Sequence, residues 1–308
     1  RELEEKAAAL EETVCRYHPP KADTSSITDL PSGTRKWLGG VQADNGLLFG
    51  IPHDSHSVLV IDPDTNTVDT TSMSGFDQGG FKWGGGVVAP NNLIYGFPHN
   101  ADAVLIINPD TKTADNTTTT GLGNGGAKWI SGLLASNGLI YGIPWYSPSV
   151  LIIDPATNST DTTSMAGLGD GYKWYGGVQA DNGLIYCMPR DSPSVLIIDT
   201  STNTADTTTI TGLSGSNKWI GGALALNGKI LGIPHSSTSV LIIDPATNAA
   251  DTTTITGLSE DRSKWQGAVL APNGLIYGIP YSSSSVLIIS PVTNTADTTT
   301  ITGLSGSF

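Results

Sequence analysis

The chain has 308 residues, a formal net charge of −13 and a sequence pI near 4.5, so it lacks the basic face that nucleic acid or an anionic membrane surface requires. No apolar run approaches the roughly 20 residues that span a bilayer. Charged residues make up only 14%, while 37 glycines and abundant threonine give a strand-and-turn composition.

Arg1 to Val14 differs in kind from the rest. Glutamates are mixed with alanines, and Leu3, Ala7, Leu10 and Val14 form one apolar stripe, so the spacing predicts a short N-terminal α-helix. It would lie on the body of the protein or serve a partner or self-association. Pro19-Pro20 ends this segment, giving a helix and linker over 1–20 and one folded unit over 21–308.

From residue 36 onward a Lys-Trp pair recurs six times, at Lys36-Trp37, Lys82-Trp83, Lys128-Trp129, Lys173-Trp174, Lys218-Trp219 and Lys264-Trp265. Successive tryptophans lie 45 or 46 residues apart, which is the mark of a repeat architecture. Within the fifth repeat, Trp219 to Ala225 reads as a first strand and Asn227-Gly228 as a type I′ hairpin turn. Lys229 to Pro234 follows as a second strand, then a polar loop. Val240 to Ile243 is apolar on successive residues, as a strand buried on both faces should be. Asp244-Pro245-Ala246-Thr247-Asn248 is a turn, and the threonine-rich Asp251 to Thr256 suits an exposed outer strand. Four antiparallel strands per repeat, six times over, predict an all-β, six-bladed β-propeller. Paired glycines such as Gly221-Gly222 sit where first strands crowd the axis.

The run Ile230 to Pro234, with Ser239 to Asn248, resembles the YVTN-type propeller repeat. The third strand and its Thr-Asn turn match best; the Lys-Trp-x-Gly-Gly opening departs from that pattern. The resemblance covers about residues 36 to 304. It implies the propeller fold, no single activity and no catalytic residues.

The fourth strand occurs seven times and the others six, since Ala22 to Thr28 repeats the motif seen again at Ala296 to Thr302. A propeller ring is commonly closed with strands from both ends, and the N-terminal copy is expected to form the rim of the last blade, leaving the C-terminal copy surplus.

The turns on one face are nearly identical from repeat to repeat, whereas the loops on the other vary, so function is expected on the variable face. The residue after the second-strand proline is His53, His99, Trp145, Arg190, His235 and Tyr281 in order. These types favour binding hot spots and mark this ring as the candidate ligand- or partner-binding site. Lys36, Lys82, Lys128, Lys173, Lys218 and Lys264 begin the axial strands on that face. They either ring the channel mouth as an anion site or lay their stems over the tryptophans with the charge in water.

Neither a metal site nor a cofactor motif is legible. Asp62-Pro63-Asp64-Thr65-Asn66 lacks the glycine and glutamate of a calcium loop. Cys15 and Cys187 have no metal-ligand spacing. Hydrolase, zincin and phosphate-loop motifs are absent as well. The expectation is therefore a non-enzymatic binding or scaffold module that engages a protein partner. A carbohydrate or small-anion binder is the alternative, and a lyase or hydrolase with an axial site is a further one. Sequons at Asn116 and Asn158 permit a secreted or organelle-lumenal setting.

Overall fold

The structure, a computed structural model, describes residue 27, residues 30–77 and residues 79–304. The expected N-terminal helix, its linker and nearly all of the strand copy at 22–28 lie outside the described residues. Among the described residues, twenty-four strands form six four-stranded antiparallel sheets, each ordered along the chain. Blade 1 consists of β1 (Trp37–Gln42), β2 (Leu48–Pro52), β3 (Leu59–Asp62) and β4 (Thr67–Asp69). The later blades repeat this plan, with first strands β5 (Trp83–Val88), β9 (Trp129–Leu134), β13 (Trp174–Gln179), β17 (Trp219–Leu224) and β21 (Trp265–Leu270). Among the described residues there is no helix.

Two local expectations change. In the Asn-Gly turn only Gly228 takes a positive φ, 78°, and its amide donates to the Ala225 carbonyl at 2.9 Å. This is a type I turn followed by one left-handed residue, not type I′. Asn227 thereby frees its amide side chain, whose Nδ2 donates to the Pro291 carbonyl of the next blade at 3.1 Å. The outer strand of blade 5 is also shorter and earlier than expected, covering Ala249–Asp251. The threonines that follow leave the strand because Asp251 accepts the Thr253 amide and hydroxyl, the Thr254 amide and, most closely, the Thr254 hydroxyl. A carboxylate with four donors outcompetes an edge ladder.

Blade 6 is completed by Thr295–Asp297 pairing with Leu287–Ser290. The C-terminal copy is therefore the rim strand, correcting the expectation that the N-terminal copy takes that place. Each blade is built from one contiguous stretch of chain.

Between blades, the tryptophan of one reaches into the core of the one before. Trp219 packs with Tyr186, Val195 and Ile197 of blade 4, and its indole Nε1 donates to the Ser239 carbonyl at 2.8 Å. The first strands touch backbone to backbone. A Cβ on Gly221, whose φ is 74°, would stand 2.8 Å from the Gly267 Cα. Five apolar clusters of this kind fill the five successive junctions from blade 1 to blade 6. First strands pack together along the same series, β1 on β5 through to β17 on β21, but β21 and β1 share no such packing. Among the described residues the six blades form an arc with one open side.

Candidate functional site

Second strands end in proline at the variable face, and the next residue turns toward the axis. The backbone fixes it there twice. The His235 amide donates to the Lys218 carbonyl at 2.9 Å, and its own carbonyl accepts the Lys264 amide at 2.7 Å. The corresponding pairs hold His53, His99, Trp145 and Arg190 between neighbouring blades.

The structure brings most of the expected ring together. His53 and His99 lie with ring centroids 5.4 Å apart, and His99 meets Trp145 edge-on at 5.7 Å. The Arg190 guanidinium sits 5.5 Å from both the Trp145 and Tyr172 centroids and pairs with Asp191 at 2.5 Å. His235 lies tilted against Tyr281, with ring centroids 5.8 Å apart. The three histidines are buried, whereas Tyr281, Tyr146 and Tyr172 are exposed and Trp145 is half-buried. The result is an aromatic shelf at the mouth with histidines set beneath it.

Burial keeps these imidazoles neutral. It lowers His99 to about 4, helped by neighbouring His53, and lowers His235 to about 4, helped by the Arg190 charge. His53 is lowered for the same chief reason. Its Nδ1 lies 2.7 Å from the Trp83 carbonyl, and that of His99 lies 3.1 Å from the Phe81 carbonyl. Carbonyls only accept, so the proton resides on Nδ1 and Nε2 keeps its lone pair. The indole Nε1 of Trp145 is buried with no hydrogen-bond partner among the described residues.

Two axial residues escape the sequence reading. Gln266 Nε2 donates to the Tyr175 hydroxyl at 2.7 Å, linking blade 6 to blade 4 across the axis. Burial pushes the Tyr175 phenol up to about 12. Trp145 packs on Tyr175 at 5.3 Å. The position after each inner tryptophan reads Leu38, Gly84, Ile130, Tyr175, Ile220 and Gln266. That variation was the available signal.

The six lysines are placed differently from an anion ring. Lys264 is 2% exposed, and its Nζ donates to the carbonyls of Ser237 and Asp261 at 3.0 and 2.8 Å. Lys218 donates to Arg190, Ser192 and Gly215, and Lys173 to Trp145, Ser147 and Gly171. Lys82 and Lys128 do likewise, while Lys36, among the described residues, reaches the Pro31 carbonyl alone. Each of the five later ammonium groups clips its own link to the blade before. A polar cleft of about 740 Å3 opens off the axis between blades 1 and 2, lined in part by Asp77, Lys82, Asn100 and Asp102. Among the described residues no cluster of ligating side chains is arranged for a metal. No helix among them is long and apolar enough to cross a membrane.

No protein-family model matches this chain, and no curated protein sequence does. Solved structures do. Virginiamycin B lyase from Staphylococcus aureus superposes with a TM-score of 0.69 at 10% identity, over 88% of this chain and 86% of that one. A catalytically inactive histidine-to-alanine variant of that lyase, with quinupristin, gives 0.66 at 10% identity over 88% and 87%. The extracellular domain of the hybrid two-component protein BT3049 from Bacteroides thetaiotaomicron gives 0.63 at 11% identity, over 91% of this chain and 36% of that one. These likenesses establish the β-propeller fold. They also correct the expectation of a non-enzymatic scaffold module. An enzyme shares this architecture over most of both chains, so the fold is no argument against an active site.

Proposed function

We propose that this chain is an acid–base enzyme of the lyase or hydrolase kind, with its site at the axial mouth of the variable face. The observation that carries the reading is the ring itself. Three neutral histidines, an arginine and an unpartnered indole N–H arrive from five blades at one aromatic shelf. A buried N–H left without an acceptor costs about 1–3 kcal/mol, and a bound carbonyl or carboxylate oxygen would remove that cost. Arg190 would offset negative charge developing on the same group. His235, next to Arg190, keeps an imidazole able to accept a proton at neutral pH. Tyr172, Tyr281 and Trp145 would stack a planar or cyclic substrate. The repeat itself we read as YVTN-type, supported by its third strand and Thr-Asn turn.

The comparison with virginiamycin B lyase, one structure of which contains quinupristin, supports testing quinupristin first. The chain is incubated with quinupristin and a panel of cyclic and aryl esters, and products are read by mass. Elimination leaves the summed mass unchanged, whereas hydrolysis adds one water. Turnover that is lost in His235→Gln and Arg190→Met supports the proposal. No turnover of any substrate, together with no binding at the ring, would overturn it.

A further inference from the structure

The open side of the arc presents two unfinished halves of the interface that is complete five times elsewhere. The residue before the second-strand proline shows the contrast. Ile51, Phe97, Ile143, Met188 and Ile233 are at most 1% exposed, but Ile279 of blade 6 is 48% exposed. Val269 on β21 is 57% exposed. On the opposite side, Trp37 is half-exposed where the other five inner tryptophans are buried. A Cβ on Gly267 would meet nothing within 4 Å, although Gly221 touches Gly267 itself.

Hydrogen-bond donors are left over in the same place. The turn asparagines of blades 1 to 5 each donate to a carbonyl in a neighbouring turn: Asn45 to Pro109, Asn91 to Pro155, Asn137 to Thr200, Asn182 to Pro245 and Asn227 to Pro291. Tyr95, Tyr141 and Tyr186 add bonds to Asn158, Asn203 and Asn248 in those turns. In blade 6, Asn273 Nδ2 donates to its own blade's Tyr277 hydroxyl, and among the described residues neither group meets a following blade.

The geometry points to the open side as the seat of one further blade of this same repeat. Its Asp-Pro-x-Thr-Asn turn would receive Asn273 and Tyr277, and its inner tryptophan would cover Ile279. Its own second strand would cover Trp37. The interface is the one already built five times, so the occupant's chemistry is read from the junctions rather than from apolarity alone. The added blade would also place one more loop beside His53 and Tyr281 at the axial mouth.

The test uses the full chain extended after Ser307 by a copy of residues 217–259. In both forms Ile279→Cys is the reporter in a Cys15→Ser background, since Cys187 is buried and free. With a maleimide at neutral pH, the introduced thiol should react freely in the original chain. In the extended chain it should react about tenfold more slowly or less, as for a side chain reached only by local opening. The thermal midpoint should rise as well. Equal rates in both forms would overturn the proposal. So would protection in the original chain that is lost on deleting residues 1–26, which would assign the seat to the N-terminal segment. Protection that depends on protein concentration and accompanies a dimer mass would overturn it too, assigning the seat to a second copy.

Discussion

Ile233 and Ile279 hold the same place in adjacent blades, and truncating each to alanine should give very different costs. Ile233 is 0% exposed in the junction between blades 5 and 6. Removing the equivalent of three buried methylenes forfeits about 2.4 kcal/mol of transfer free energy at about 0.8 kcal/mol each. The cavity left among Val240, Ile242 and Leu287 raises the cost toward about 4 kcal/mol. Ile279 is 48% exposed, so half the transfer term and almost no cavity term apply, giving about 1 kcal/mol. Urea unfolding followed by tryptophan fluorescence and by far-ultraviolet dichroism gives both values, the two probes also reporting whether the blades unfold together. Equal costs at the two positions would refute the claim that the arc is open at blade 6.

Lys264→Met should destabilise by about 2 kcal/mol, because two charge-assisted bonds from a buried ammonium to backbone carbonyls are lost and only partly offset by relieving a buried charge. Lys36→Met, whose ammonium has one carbonyl partner among the described residues, should cost under about 0.5 kcal/mol by the same unfolding assay. Hydroxyls and amides in their turns hold Asp161 and Asp251 down to about 2, below the ordinary carboxylate value. Their stabilising contribution is therefore complete above about pH 4 and is lost as the pH falls from 4 to 2. Asp251→Asn should lower stability at pH 7 and flatten the acid limb, and an unchanged limb would contradict this. The unfolded chain binds more protons than the folded one while His99 and His235 are neutral in the fold. Stability should hence decline as the pH drops from about 6.5 to about 4, and His99→Gln should shrink that slope in a pH series of thermal midpoints.

The blades were legible because their signals are local and repeated. A Lys-Trp every 45 or 46 residues, an Asn-Gly turn and an Asp-Pro-x-Thr-Asn turn are each read within one repeat. The ring of His53, His99, Trp145 and Arg190 was legible for a related reason, since one position varied where its surroundings did not. What escaped is set between blades. Asn227 looked like a turn former, yet its side chain spans to Pro291, 64 residues away. Asn158, read as a sequon, takes the Tyr95 hydroxyl of the preceding blade at 2.6 Å. Tyr175 and Gln266 meet across the axis, 91 residues apart, and no pattern within a repeat announces that pairing. The lysines misled because charge suggests solvent, whereas convergent backbone carbonyls are invisible in a sequence.

The proposed function needs neutral axial histidines, with Nε2 of His53 and His99 unprotonated, that contact the substrate. Long-range nitrogen–proton NMR of the histidine rings, titrated from pH 7 to pH 3 with and without quinupristin or the best ester found, tests it directly. The expected result is Nδ1-protonated neutral rings for His53 and His99, midpoints near 4 for His99 and His235, and Nε2 shifts for the ring histidines on adding substrate. Midpoints near the ordinary 6.5, with no shift on adding any substrate, would contradict it.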